Sequence, residues 1–324
     1  MENILKKNNL IFLVLVIVLV FSLNVGAEKF KIGISQFVEH PSLDLAREGF
    51  IDQLAEKGYL EGENLNIEFQ NAQADFATAQ TIAQRFKQNN LDLVLAIATP
   101  SAQTAVNVLS DTPVLITAVT DPIAAGIVSN MKKPGTNTSG TTDMNPVAKQ
   151  LDLIKNFLPK IKNLGILYNP GEVNSTVQVK IAKQKAKEMK IELKEATVSN
   201  SSEVSLAVSS LIGKVDAIYV PTDNIIVSAM PTVLETAYNN QVPVFTSENN
   251  SVKQGAIATL GIDYYQLGKQ TGLMAAKIFA GENISQMGVE SSKQLKLYLN
   301  KKSASQIGLK IPQNILDNAD TIFE

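Results

Sequence analysis

"LDLVLAIATPSA", Leu91 to Ala102, returns in altered form about 124 residues later as "VDAIYVPTDNII", Val215 to Ile226. Each copy runs from an acidic residue, through an apolar stretch, to a Thr beside a Pro. A short apolar run closed by turn residues is the pattern of a strand buried on both faces, as in a parallel sheet. The first copy ends in small neutral residues, the second in a charge, Asp223. Their surroundings repeat too. "FKIGIS" (30–35) corresponds to "LGILYN" (164–169), and "TPVLITAVT" (112–120) to "VPVFTSENN" (242–250). Between these runs, "SLDLAREGFIDQLAEKGY" (42–59) and "VQVKIAKQKAKEMK" (177–190) carry helical spacing. Strands alternating with helices build βαβ units on a parallel sheet. The period, roughly 115 residues, is that of a duplicated α/β domain and not of a short-repeat array.

"KKPGTNTSGTT" (132–142), rich in Gly, Ser and Thr, is expected to connect the halves. After the second half come a further helix, "KQTGLMAAKIFAGEN" (269–283), and a late strand, "QLKLYLN" (294–300). The chain therefore passes between lobes more than once. The expected architecture is α/β: two doubly wound parallel-sheet lobes joined by a multi-strand hinge over a cleft. The expected division is 28–142 plus 260–285 for the N-lobe and 143–259 plus 286–324 for the C-lobe.

The chain has 324 residues, 45% of them hydrophobic, 6% aromatic and none Trp, with a net charge of -2. This is a globular composition without the basic footprint of a nucleic-acid binder. At the N-terminus, Lys6 and Lys7 precede an apolar run from Leu10 to Leu23, and "NVGA" follows with Val25 and Ala27 at small positions. That is the pattern of a secretory signal peptide (residues 1–27) cleaved after Ala27. A membrane-spanning helix needs about 20 apolar residues. There is no cysteine, hence neither a disulfide nor a lipid anchor through Cys. An exported, unanchored chain points to the periplasm of a double-membraned bacterium; free secretion is the alternative.

Ligands of open parallel sheets bind at the carboxyl ends of the strands. Those ends supply Phe37; Thr99, Ser101 and Ala102; Thr120 and Asp121; Asn169; Thr222, Asp223 and Asn224; and Glu248. Thr99 is expected as a helix N-cap with Pro100 at the first helical position, leaving free amides that suit a carboxylate. Asp223 and Glu248 put carboxylates on the opposite lobe. A zwitterion matches that polarity; ordinary helix capping is the alternative for the Thr99 turn and for Asp223, whereas Glu248 ends an apolar strand. Phe37 and Tyr264 are candidate apolar walls or core residues. His40 is the only histidine, so a His-rich or Cys-containing zinc site is excluded; it is expected in a loop or cleft wall. No G-x-S-x-G elbow is present. Gly135 and Gly140 have P-loop spacing, but Thr141 stands where Lys is required. Neither an enzyme nor a cofactor is expected.

The stretches "TPSAQTAVN", "AVTDPIAAGIV", "NPVAKQLDLIKNFLP", "GILYNPGEVNS", "KVDAIYVPTDNIIVSA" and "VPVFTSENNSVKQGAIATLGIDYYQLGKQTG" run in order through nearly all of the expected mature chain. In them the chain closely resembles the substrate-binding proteins of ABC transporters of the tryptophan/tyrosine type. The resemblance implies a type I periplasmic binding protein fold with three crossovers, closing on an amino-acid-like ligand, aromatic in the best-understood members. It implies delivery to a membrane permease, with membrane contact only through that partner, no nucleic acid, and a monomer. It adds Asp263 to the strand-end contacts named above. Alternatives are a sugar, nucleoside or signalling-molecule ligand in the same architecture. One departure is "ENN" (248–250), where an acidic pair or acidic-Gly turn is implied.

Overall fold

The computed structural model describes residues 29–292 and 294–324; the expected signal peptide lies outside them. The first lobe opens with β1 (Phe30–Gln36), α1 (Pro41–Glu56), β2 (Leu65–Asn71), α2 (Phe76–Gln88), β3 (Leu93–Ile97), α3 (Thr99–Val108), β4 (Val114–Val119) and β5 (Thr138–Thr142). Pairing runs β2-β1-β3-β4-β5, all parallel. Every residue of β3 and β4 is buried, which is why both read as apolar runs, β4 broken only by Thr117. Asp75 caps α2, accepting from the Thr78 amide at 2.6 Å.

The second lobe repeats the plan with α4 (Val147–Phe157), β6 (Asn163–Tyr168), α5 (Val173–Glu188), β7 (Glu192–Thr197), α6 (Val204–Leu211), β8 (Ala217–Val220), α7 (Asn224–Ser228), α8 (Met230–Tyr238), β9 (Val244–Thr246) and α9 (Asn249–Gln254). Its parallel sheet is ordered β7-β6-β8-β9. Thus "LDLVLAIA" and "VDAIYV" form β3 and β8, each third in its lobe's chain order.

The tail then shuttles. β10 (Ala258–Gly261) follows the second lobe, and α10 (Tyr264–Phe279) returns to pack on α1. β11 (Glu290–Ser291) pairs parallel with the outer edge of β5. β12 (Lys296–Asn300), α11 (Lys301–Gln306), α12 (Gln313–Asp317) and β13 (Thr321–Phe323) finish the chain. The chain crosses at 143–146 and 262–263, and a third time between β11 and β12. The α1–α10 contact is backbone against backbone: a Cβ on Gly268 would lie 2.0 Å from the Ala46 carbonyl oxygen, and one on Gly49 would lie 2.1 Å from that of Tyr265.

Three expectations change. The Thr-rich stretch expected as a connector holds β5, buried at all five residues; β-branched Thr suits a strand, and its hydroxyls pair along a buried line, Thr117 to Thr141 at 3.0 Å and Thr141 to Thr271 at 2.8 Å. The late strand β12 runs antiparallel to β10 and parallel to β13, forming a third sheet. The expected boundary at 285/286 falls before β11, whose two residues still pair in the first sheet.

Candidate functional site

The carboxyl ends of both sheets face one narrow, nearly closed cavity with about 10 Å³ of free space, room for about one water molecule. The first lobe contributes the start of α1 (His40, Leu43) and the end of β4 (Ala118, Thr120). The second contributes Asn174 from α5, the β8–α7 turn (Thr222, Asp223, Asn224) with Val227, and Glu248. Two crossing segments close the remaining wall with Asp143 and Tyr264.

Each carboxylate is held by several donors. Asp223 is the N-cap of α7: it accepts from the Ile226 amide at 2.9 Å, and its second oxygen takes the Asn169 amide and the Ser175 hydroxyl, both at 2.6 Å. Glu248 caps α9, accepting from the amides of Asn250 and Ser251 at 2.7 Å each. It also accepts from Ser42 Oγ of α1 across the cleft at 2.5 Å, and Asn250 Nδ2 donates to the same hydroxyl at 3.0 Å. Asp143 receives Thr120 Oγ1 at 2.8 Å and Tyr264 Oη at 2.7 Å. Glu172, wholly buried behind this wall, receives Asn174 Nδ2, Asn224 Nδ2 and the amides of Asn224 and Ile225.

The electrostatics are one-sided. Asp143, Asp223 and Glu248 are at most 1% exposed, and none pairs with a Lys or Arg among the described residues. Burial raises the pKa of all three. Burial and the neighbouring Asp223 charge push Glu172 up to about 8. His40 supplies no compensating charge, because burial takes its pKa down to about 4 and leaves the ring neutral at pH 7. A buried carboxylate without a cation is costly, and here three of them face one cavity.

The first lobe's strand ends carry strain, and of them Ala118 lines the cavity. Ala98 (φ 78°, ψ 155°) and Ala118 (φ 54°) have left-handed backbone at the ends of the adjacent strands β3 and β4. Such non-glycine positions cost of order 1–3 kcal/mol and cluster at binding sites. They correct one expectation: the N-cap of α3 is Ala98 rather than Thr99, so Thr99 opens the helix and Pro100 follows inside it. Freed from capping, Thr99 Oγ1 is buried without a hydrogen-bond partner among the described residues, beside the first-turn amides that have no intrahelical acceptor.

Of the anticipated residues, Thr120, Thr222, Asp223, Asn224 and Glu248 share the cavity. Thr99, Ser101 and Ala102 form the buried first turn of α3, with Ser101 Oγ 3.4 Å from Ser35 Oγ. The others stand off the cavity wall. Phe37 packs against Phe76 in the first lobe's core, ring centroids 5.3 Å apart. Asp121 closes its own turn onto the amides of Ile123 and Ala124. Asn169 uses its side chain on the Gly171 amide. Asp263 caps α10 and lies 3.6 Å from Lys296 Nζ. Asp143, Glu172 and Asn174 were not anticipated; a buried acid in "NPGEVNS", just where a helix begins, was the available signal for the last two.

Residues 31–323 match the family described as ABC transporter substrate binding protein. A tyrosine-binding protein of Clostridioides difficile is 46% identical over 279 residues, 86% of this chain and 81% of that protein. A Streptococcus pneumoniae structure in complex with L-Trp is 37% identical, with a TM-score of 0.88 over 91% of this chain and all of that one. A ligand-free, open structure of a substrate binding protein with adhesive properties from Clostridium difficile is 46% identical, yet its TM-score is only 0.68, over 91% of this chain and 99% of that one. The more similar sequence has the less similar shape, so the lobe arrangement here is closer to that of the L-Trp complex.

Proposed function

The chain belongs to the family of ABC transporter substrate binding proteins, and we propose that it captures an amino acid, aromatic in kind, between its two lobes. The family is one of binding proteins, not enzymes, that work outside the cytoplasm. The observation that carries the ligand class is the set of buried carboxylates on one cavity with no protein cation among the described residues. A ligand ammonium offsets their charge in a way that a sugar hydroxyl does not. Asp143, Asp223 and Glu248 are its candidate partners. The α-carboxylate goes toward the first lobe, where Thr99 Oγ1 and the Thr99 and Ser101 amides at the start of α3 form an anion seat behind the cavity lining; Pro100 has no amide hydrogen and the Ala102 amide is taken by the Ala98 carbonyl at 3.0 Å. Similarity to a tyrosine-binding protein and to an L-Trp complex supports the aromatic class.

The proposed working cycle is hinge closure over the ligand at the three crossings, followed by delivery to a membrane permease. The N-terminal segment is proposed to be removed after Ala27, releasing the protein to the periplasm as a monomer. Titration calorimetry of protein stripped of carried-over ligand, against the twenty amino acids, tests the ligand class. Binding of at least one aromatic amino acid is expected; heat from none of the twenty refutes it.

A further inference from the structure

Asn174 opens the first turn of α5 and is 3% exposed. Its Nδ2 donates to Glu172 Oε2 at 2.9 Å and to the Thr222 carbonyl at 2.9 Å. A backbone carbonyl can only accept, so the amide cannot be reversed without losing that bond. Its Oδ1 is therefore left as a buried acceptor, without a partner among the described residues, on a residue that lines the cavity. His40 Nδ1 is a second buried polar atom without a partner among the described residues, on a residue that lines the same cavity. In the neutral ring it is an acceptor when the proton sits on Nε2.

These two are uncharged, unlike the carboxylates nearby. An ammonium gains most from a full negative charge, and Asp143, Asp223 and Glu248 supply that. The neutral acceptors match a neutral donor. A buried acceptor left without one costs free energy, and sites built around a substrate donor reject analogues that lack it.

We infer that Asn174 Oδ1, joined by His40 Nδ1 in its Nε2-protonated tautomer, determines side-chain specificity, accepting a hydrogen bond from the phenol O–H of tyrosine or the indole N–H of tryptophan and so selecting against phenylalanine. Glu172 and the Thr222 carbonyl hold the Asn174 amide in the orientation this requires. The inference rests on the proposed amino-acid ligand.

Calorimetry with L-tyrosine, L-tryptophan and L-phenylalanine tests it. Wild-type protein is expected to bind the better of the first two at least about tenfold more tightly than phenylalanine, the size of one unsatisfied buried acceptor. In Asn174→Leu, that preferred ligand weakens about tenfold or more, while phenylalanine stays within about threefold. Equal wild-type affinity for phenylalanine overturns the inference but leaves the amino-acid class standing. So does an equal loss for all three ligands in Asn174→Leu, which would place Asn174 against their common part. If the variant does not fold, the wild-type ratio decides alone. Binding of none of the twenty amino acids defeats the ligand class itself.

Discussion

Ser42→Ala isolates the energy of lobe closure from that of ligand contact. Ser42 lies in the first turn of α1 and is 1% exposed, but it is not on the cavity wall. Its hydroxyl donates across the cleft to Glu248 at 2.5 Å and accepts from Asn250 Nδ2 at 3.0 Å. The bond joins two lobes, so it exists only when they meet. A hydrogen bond to a charged group contributes about 1.5–3 kcal/mol. Glu248 keeps both amide donors of its own helix when the hydroxyl is removed, which places the loss near the lower end, about 1.5 kcal/mol. At 1.4 kcal/mol per factor of ten, ligand affinity falls about tenfold. The fall is the same for every ligand, because Ser42 touches none. Calorimetry with two ligands measures it, and small-angle scattering of ligand-free and saturated protein reports the opening. Affinity within about twofold of wild type, or a drop confined to one ligand, would refute a closure role for the Ser42–Glu248 bond.

Other outcomes follow from burial and backbone. Glu172 has a pKa of about 8 against an ordinary 4.5, so the folded state is destabilised as pH rises through that window. Thermal melts of Glu172→Gln are expected to be flatter from pH 5 to 8 than those of wild type, even with a lower Tm. His40 has the opposite sign: its pKa of about 4 against 6.5 means stability is lost as pH falls through 6.5 toward 4, and His40→Asn should flatten that acid limb. Gly268→Ala puts a methyl 2.0 Å from the Ala46 carbonyl oxygen and should cost about 3 kcal/mol in urea unfolding. Ala98→Gly relieves the φ of 78° and should raise stability by about 1 kcal/mol, visible as a higher urea midpoint.

The duplicated fold was legible because β3 and β8 are buried on both faces, and burial leaves a continuous apolar run in each. β5 was not, because its five residues are Thr, Ser and Gly, whose hydroxyls satisfy one another only once β4 and α10 are in place. Asp223 and Glu248 were legible as charges at strand ends. Asp143 was not, and Tyr264 was read only as an apolar wall or core candidate, because the bond between them joins residues 121 positions apart. Thr99 was mistaken for a cap because an Ala at φ 78° leaves no local signal; only the neighbouring strands impose that backbone. Phe37 could be wall or core by its sequence, and its packing against Phe76 places it in the core.

The return of α10 and β11 sets the order in which this chain can be completed. α1 lies within the first sixty residues, yet the helix that seals it ends at Phe279, and the outer edge of β5 waits for residues 290–291. By then every strand of the second lobe's own sheet has already been synthesised. The first lobe to be made is thus finished only after the second lobe's own sheet. Until then it presents an unsealed helix face and an open strand edge, the surfaces that make slow, non-local folders vulnerable to association. The same delay keeps a nascent chain from locking early into a compact body.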